Sequence, residues 1–273
     1  MRRALQVLTL LAASGAAFGA ELPIFDAHLH YSHDAWESLP AKDAVALLRK
    51  AGVKGGLVSS SNDDGTQRLL AEAPDLIIPE LRPYRTRSDI STWVRDESIV
   101  AYVEERLQKH KYVAIGEFHL YGVDADLPVP RRMVQLAKQY RLMLHAHSDP
   151  DAVERMFLQD PDARILWAHA GFERPDRVRE LLRKHKNLWA DLAFRVDHAT
   201  DGKPPPEWRA AFLEFPERFM VGTDSYVAER WYFVPEHARW SREWLAELPH
   251  EVAERIAYKN GEAIIGAAWK KEK

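Results

Sequence analysis

Short apolar runs alternate with amphipathic runs along nearly the whole chain. Most of the apolar runs are continuously apolar rather than alternating, which is typical of strands covered on both faces in a parallel sheet. The pattern therefore predicts eight buried parallel strands. These are Ile24–His30, Gly55–Ser60, Leu76–Tyr84, Tyr112–His119, Leu142–His147, Arg164–His169, Leu188–Phe194 and Phe219–Asp224.

The segments between these strands carry apolar residues at helical spacing. Val178, Leu181 and Leu182 repeat at i, i+3 and i+4 after Pro175, which is a favourable first residue of a helix. Strand and helix alternating eight times in about 250 residues is the size of a closed (β/α)₈ barrel, or TIM barrel. An open doubly wound sheet is the alternative, but no Gly-rich phosphate loop follows the first strand. We therefore predict an α/β fold of the (β/α)₈ TIM-barrel type.

The beginning of the chain departs from this pattern. A pair of arginines precedes an uncharged run of apolar and small residues, Ala4–Ala20, whose end satisfies the small-residue rule for signal-peptide cleavage. We predict a signal peptide over residues 1–20 and one domain over residues 21–273, exported to the periplasm or secreted. An uncleaved N-terminal anchor is the alternative. After cleavage we expect no membrane contact, because no other segment is long and apolar enough to span a bilayer.

Charge and composition narrow the chemistry. The formal net charge is −3, and removal of the two leader arginines lowers it to −5. An acidic protein is a poor candidate for nonspecific nucleic-acid binding, so we expect no nucleic-acid partner. An oligomer is compatible with the sequence. The chain has no cysteine, which excludes disulfides and thiolate ligands, so that any metal must be held by nitrogen and oxygen.

Residue types that bind metals occur where five of the predicted strands end. In a parallel barrel these ends meet at one mouth. His28 and His30 are two residues apart, so their side chains point to the same face of the first strand. Imidazole and carboxylate donors at one mouth predict a divalent cation, zinc by preference, with manganese or another ion as the alternative. The residues at the strand ends are His28, His30, Glu117, His119, His145, His147, His169 and Asp224.

These residues, in this order, resemble the amidohydrolase superfamily, and most of all its amidohydrolase-related and TatD-like branches. The resemblance spans Phe25 to Gly266. It implies one ion, or two if Glu117 bridges them. On strand five His147 is the alternative to His145, which we prefer because it directly follows the apolar run. The metal ligands implied by the resemblance are His28, His30, Glu117, His145, His169 and Asp224.

The resemblance also implies an activity. It predicts a metal-dependent hydrolase that activates water to cleave an amide, ester or lactone bond of a small molecule. Asp224 is the expected proton acceptor, and His169 polarises the substrate oxygen when it does not bind metal. The alternatives are a metal-dependent nonoxidative decarboxylase, a TatD-like phosphodiester hydrolase and a catalytically inactive metal-binding barrel.

Arginines near the predicted mouth favour an anionic substrate, because a guanidinium pairs with carboxylate or phosphate groups. The alternative is that these arginines pair with acidic residues of neighbouring loops. The predicted substrate contacts are Arg82, Tyr84, His119, His147 and Arg195.

Overall fold

The computed structural model describes residues 21–272, so the predicted signal peptide lies outside the described residues. Eight parallel strands follow one another around one sheet in sequence order. Their bounds are β1 Ile24–His30, β2 Val53–Ser59, β3 Ile77–Leu81, β4 Ala114–Leu120, β5 Met143–Ser148, β6 Ile165–Trp167, β7 Leu188–Asp191 and β8 Phe219–Met220.

The sheet closes between its first and last strands. The amide of Ala27 donates to the carbonyl of Val221 at 2.9 Å, and the amide of Asp224 donates to the carbonyl of His28 at 2.8 Å. This closure confirms the predicted (β/α)₈ TIM barrel, and an open doubly wound sheet is excluded.

Helices cover the outside of the barrel. Their bounds are α1 His33–Trp36, α2 Ala41–Lys50, α3 Asp64–Glu72, α4 Ser98–Lys109, α5 Pro128–Tyr140, α6 Pro150–Gln159, α7 Pro175–Lys184, α8 Pro206–Glu214, α9 Ala228–Tyr232, α10 Val234–Leu245, α11 His250–Glu254 and α12 Ala267–Glu272. Two π-helical stretches, Arg255–Lys259 and Glu262–Gly266, join the last two helices. Short 3₁₀ segments span Arg87–Ser91, Trp93–Arg95, Gly122–Asp126, Ala168–Phe172 and Thr200–Gly202. Among the helices of residues 21–272, none combines the length and apolarity needed to cross a bilayer.

Two apolar cores hold the barrel together. The larger one lies between strands and helices, where Leu29 packs in the same cluster as Ala44 and Leu48. The smaller one fills the interior near the strand starts and includes Phe25 of β1 and Ile265 of the closing segment. One end of the interior is therefore filled with apolar side chains, and the polar strand ends meet at the other.

The later strands end earlier than the apolar pattern predicts. β6 stops at Trp167 because His169 and Ala170 adopt left-handed φ values of 56° and 48°. Phe194 after β7 and Asp224 after β8 are also left-handed, with φ of 56° and 50°. This conformation is unfavourable for residues with a side chain. Such residues gather where a fold must aim particular groups, and here they surround the mouth.

Candidate metal centre

Hydrogen-bond partners at Nδ1 orient the rings of the two β1 histidines. Nδ1 of His30 donates to the carbonyl of Ser59 at 3.0 Å, and Nδ1 of His28 lies 3.2 Å from Oδ2 of Asp191. A neutral imidazole that donates through Nδ1 carries a lone pair on Nε2. The two Nε2 atoms lie 3.1 Å apart. Facing lone pairs at this distance repel each other unless a cation or a proton lies between them.

Two carboxylates approach the same point. Oε2 of Glu117 lies 3.3 Å from Nε2 of His30 and 3.8 Å from Nε2 of His28. Oδ1 of Asp224 lies 3.4 Å and 3.8 Å from the same two atoms. Ligands about 2.1 Å from a tetrahedral zinc ion are about 3.4 Å from one another. The separations of the two carboxylates from the two histidines therefore suit ligands of a divalent cation. The ligand atoms of His28, His30 and Glu117, and likewise those of His28, His169 and Asp224, lie close enough together to hold an ion. We call His28, His30, Glu117 and Asp224 the mouth cluster.

The electrostatics of the mouth cluster favour positive charge. Burial opposes protonation of His28, but the carboxylates around it, beginning with Asp191, raise its pKa well above the usual value. Burial likewise opposes ionisation of Glu117. Even so, the imidazoles of His119 and His147 help to hold the pKa of Glu117 well below its usual range. The negative surroundings that favour a proton on His28 also favour a divalent cation, which would displace that proton because metal ligands must be deprotonated.

His169 joins the cluster from the segment after β6. Its Nδ1 donates to the carbonyl of Ala193 at 2.8 Å, and its backbone amide donates to Oδ1 of Asp191 at 3.1 Å. The ring therefore also carries its lone pair on Nε2, which lies 3.6 Å from Oε1 of Glu117. The structure thus brings this predicted residue to the mouth.

His145 lies behind the mouth cluster. Its Nδ1 lies 3.1 Å from both carboxylate oxygens of Glu80, and its Nε2 lies 3.0 Å from Oδ2 of Asp191. Burial opposes protonation, but these two carboxylates raise the pKa of His145 to about 9. In this charged form both ring nitrogens donate to carboxylates, although the ligand atoms of His28, His145 and Asp191 also lie close enough together to hold an ion. We call Glu80, His145 and Asp191 the buried chain.

His147 lies in the mouth instead. Its Nδ1 is 2.8 Å from Oε1 of Glu117, and its ring stacks on that of His119 at 4.2 Å between centroids. In the β4–β5 ladder Gly116 pairs with His145, whereas His119 pairs with His147. Gly116 is needed there because a Cβ would collide with the carbonyl of His145. His147 therefore contacts Glu117 at the mouth and His145 lies behind it, and the choice between them as the strand-five metal ligand stays a prediction.

Two of the predicted substrate contacts act on neighbouring residues. Nη2 of Arg82 lies 2.7 Å from Oε2 of Glu117, and its Nε donates to the carbonyl of Glu117 at 3.0 Å. Arg82 thus pairs with an acidic residue, which is the alternative to substrate binding given for these arginines. Arg82 also lines the mouth. The Tyr84 hydroxyl accepts from the amide of His119 at 2.8 Å, and Tyr84 is fully buried. Tyr84 therefore positions His119.

Arg195 lies outside the lining of the mouth. Its guanidinium donates to the carbonyls of His169 and Glu173, both at 2.9 Å, and pairs with Asp197 at 2.7 Å. These contacts join the segment after β6 to the segment after β7. Within the described residues Arg195 therefore has a structural role.

Three buried acidic residues of the centre were missed by the sequence argument. Glu80 and Asp191 form the buried chain, and each stands at or near a strand end, so the positional rule that found the histidines also applies to them. Asp26 accepts from the amide and the hydroxyl of Thr223 at 3.1 Å and 2.7 Å. Burial raises the pKa of Asp26 to about 7 despite these hydrogen bonds. The contacts of Asp26 hold the residue before Asp224 in place.

The mouth cluster opens into a cavity of about 310 Å³. Its walls include Ile90, Phe172 and Phe194. The Asp224 side chain is 13% exposed, whereas that of Glu117 is 3% exposed and those of the two histidines no more than 1%. A cavity of this size, with converging polar groups and a few apolar side chains in its wall, suits a small molecule.

Solved structures show the same fold. An uncharacterised TIM-barrel protein from Bordetella bronchiseptica matches with a TM-score of 0.65 at 14% identity, over 90% of this chain and 99% of that chain. A putative 2-pyrone-4,6-dicarboxylic acid hydrolase from Pseudomonas putida matches with a TM-score of 0.52 at 15% identity, over 90% and 98%. A β-aspartyl dipeptidase from Fervidobacterium islandicum matches with a TM-score of 0.54 at 14% identity, over 90% and 73%. At these identities the likeness shows the fold alone.

Sequence comparison identifies the family. No curated protein matches the chain significantly. The sequence model of the family described as amidohydrolase matches residues 25–266, which is most of the chain. This match confirms the resemblance seen in the spacing of the histidines and acidic residues. The chain therefore belongs to the amidohydrolase family.

Proposed function

We propose that this protein is a hydrolase that binds one divalent cation, preferably zinc, and cleaves an ester, amide or lactone bond of a small molecule. One observation carries the proposal: the Nε2 lone pairs of His28 and His30 meet the carboxylates of Glu117 and Asp224 at separations of 3.1 to 3.8 Å. Membership of the amidohydrolase family supports a hydrolytic enzyme.

The charges around the centre favour one ion over two. The carboxylates of Glu117 and Asp224 and the guanidinium of Arg82 leave one net negative charge at the mouth. The buried chain adds two carboxylates and one imidazolium, which is one further negative charge. With Asp26 protonated, as its raised pKa of about 7 favours below neutral pH, one divalent cation balances this total, whereas a second would leave two positive charges uncompensated in a buried site. Glu117 then acts as a ligand and not as a bridge.

Asp224 is the proposed general base. A divalent cation supplies Lewis-acid chemistry, lowering the pKa of a coordinated water to about 7 and polarising a carbonyl oxygen. Asp224 is the member of the mouth cluster most open to the cavity. Its backbone is fixed on both sides, since its amide donates to His28 and its carbonyl accepts from Nε of Arg230 at 2.6 Å. We propose that it takes the proton from the attacking water and passes it to the leaving group.

His147 and His169 are the proposed contacts to the substrate oxygen that gains negative charge. Both rings line the cavity beside Oε1 of Glu117, with 4.7 Å between their centroids. Since Nδ1 of each ring already faces an acceptor, this role needs a proton on Nε2, which would then donate to the developing oxyanion and stabilise it. His119 supports them by stacking on His147. Burial lowers the pKa of His119 to about 4, so it packs as a neutral ring.

Metal titration tests the centre first. Protein stripped with a chelator is titrated calorimetrically with Zn²⁺ and with Mn²⁺, and we expect one ion per chain with activity restored at one equivalent. His30→Ala abolishes tight binding because it removes a ligand, whereas His250→Ala, at a largely exposed position of α11, leaves it unchanged. A stoichiometry of two contradicts the single ion, and no binding contradicts the whole proposal.

Substrate panels then test the reaction. Turnover of p-nitrophenyl esters, anilides or lactones supports hydrolysis of small molecules. Release of CO₂ from carboxylated aromatics supports the decarboxylase alternative, and cleavage of bis-p-nitrophenyl phosphate supports the TatD-like one. Metal binding without turnover across all panels indicates an inactive barrel.

Export stays a prediction. Sequencing the N-terminus of protein recovered from outside the cytoplasm tests it.

A further inference from the structure

A second cavity, of about 570 Å³, opens beside the mouth. We call it the side groove. It lies between the segment after β7 and the α9–α10 region that follows β8, and its apolar lining is Phe194, Val196, Phe233, Val234 and Trp240. Val196 and Phe233 are 78% and 65% exposed, which is high for large apolar side chains. Burying them against a ligand would be favourable.

The charged residues of the side groove are already paired within the protein. Arg230 donates to the carbonyls of Asp224 and Thr223 at 2.6 Å and 2.7 Å. Arg239 pairs with Glu236 of the same helix. Arg195, the third arginine of the lining, is held by the contacts given above. The side groove therefore presents an apolar centre and no unpaired cation among these arginines, which favours an uncharged ligand group over an anionic one.

The side groove adjoins the mouth. Phe194 lines both cavities, and the consecutive residues Thr223 and Asp224 line one each. The guanidinium of Arg230 packs over the ring of Phe194 at 4.7 Å and so fixes the partition between the cavities. One aromatic ring, that of Phe194, therefore lies between a molecule held at Asp224 and the side groove.

We propose that the side groove binds the apolar part, an alkyl or aryl group, of a substrate whose scissile bond lies at Asp224. This inference rests on the proposed hydrolytic function and names its substrate class: an ester, amide or lactone with an extended uncharged apolar group. The volume lies within the usual range for small-molecule sites. His237 adds a polar contact to the lining. Burial and Arg230 lower the pKa of His237 to about 4, so that contact is neutral.

A series of esters tests the inference through turnover. The ratio of kcat/KM for p-nitrophenyl hexanoate to that for p-nitrophenyl acetate reports on the groove, and a general loss of activity cancels in this ratio. Each buried methylene is worth about fourfold, so we expect the wild-type ratio to reach at least about tenfold. Phe233→Asp places a charge in the groove and should reduce the ratio to about two. Leu158→Asp, at an 81% exposed position of α6, is the matched control and should keep the wild-type ratio.

Direct binding separates this inference from the hydrolase proposal. The neutral fluorescent probe N-phenyl-1-naphthylamine should bind at one site in the wild type, Leu158→Asp and Asp224→Asn, and at least about fivefold more weakly in Phe233→Asp. If no ester is hydrolysed but this binding pattern holds, the proposed reaction fails and the groove stands. Equal ester ratios in Phe233→Asp and wild type, or equal probe binding where no ester is hydrolysed, overturn the inference.

Discussion

The mouth cluster and the buried chain are made of the same residue types but differ in how their polar atoms are satisfied. In the buried chain both ring nitrogens of His145 face carboxylate oxygens, so donors and acceptors alternate. In the mouth cluster the Nε2 atoms of His28 and His30 face each other, with two carboxylates beside them. A saturated set of polar groups holds positions, whereas two facing Nε2 lone pairs with no donor between them call for a cation. Whether the polar atoms of a residue already have hydrogen-bond partners therefore distinguishes a supporting residue from a binding residue more reliably than the residue type does.

Replacing the base should have the largest effect. Asp224→Asn keeps the shape of the side chain but removes its negative charge, and we expect kcat to fall by about 10³-fold or more. His28, His30 and Glu117 remain as ligands, so zinc should still bind. Turnover and zinc content are measured together, with Asp75→Asn at an exposed surface pair as the control. Near-normal turnover of zinc-loaded Asp224→Asn removes this residue from the role of base.

The two histidines of β5 should respond in opposite ways. His145→Gln breaks a buried charged network and should lower the free energy of unfolding by about 3–5 kcal/mol. His147→Gln should change it by about 1 kcal/mol or less but reduce kcat by about 10²-fold, because it removes a contact to the reacting oxygen. Urea unfolding of metal-free protein and turnover of metal-loaded protein give both quantities. The reverse pattern would show that His145, not His147, belongs to the site.

Asp191 connects the two regions and should control metal affinity. Asp191→Asn replaces the acceptor behind Nδ1 of His28 with a group that can also donate, so the ring loses its preferred tautomer. We expect Zn²⁺ affinity to fall by about 10- to 100-fold, measured by competition with a chromophoric chelator. Asp160→Asn, another buried acidic position that lies outside the centre and pairs with Lys138, is the matched control. An unchanged dissociation constant contradicts the link between the buried chain and the metal ligands.

The last expected effect is a pH dependence of stability. The pKa of His145 is raised from about 6.5 to about 9 on folding, so its stabilising contribution is fully present below pH 6.5 and is lost as the pH rises through 9. The difference in unfolding free energy between wild type and His145→Gln, both metal-free, should shrink by up to about 3 kcal/mol over that window. Urea unfolding at several pH values measures it. A difference that grows with pH contradicts the charged state assigned to His145.

Much of the fold could be predicted because the alternation of strands and helices is encoded in apolar spacing. The mouth cluster could be predicted as well, because its members all stand at strand ends. They are His28, His30, Glu117 and Asp224. The ends of the later strands could not be predicted, since left-handed residues such as His169 turn the chain out of the sheet while its composition stays apolar.

The choice between His145 and His147 depends on information that one strand does not contain. The β4–β5 register shifts between Gly116 and Phe118, and this shift decides which histidine reaches Glu117. The partner of Arg82 is likewise set by the packing of β3 against β4. Contacts between residues 35 positions apart cannot be obtained from local patterns.

The closure between β1 and β8 has a consequence for breathing motions of the barrel. β8 has two residues, the fewest of the eight strands, and the closing hydrogen bonds involve Ala27 and Asp224. Local opening along this boundary would carry Asp224 away from His28 and His30 while the other strands stay paired. A cation shared by these three residues would cross-link the first strand to the segment after the last. Metal loading should therefore slow deuterium uptake at the amides of Ala27 and Asp224 more than elsewhere in the sheet.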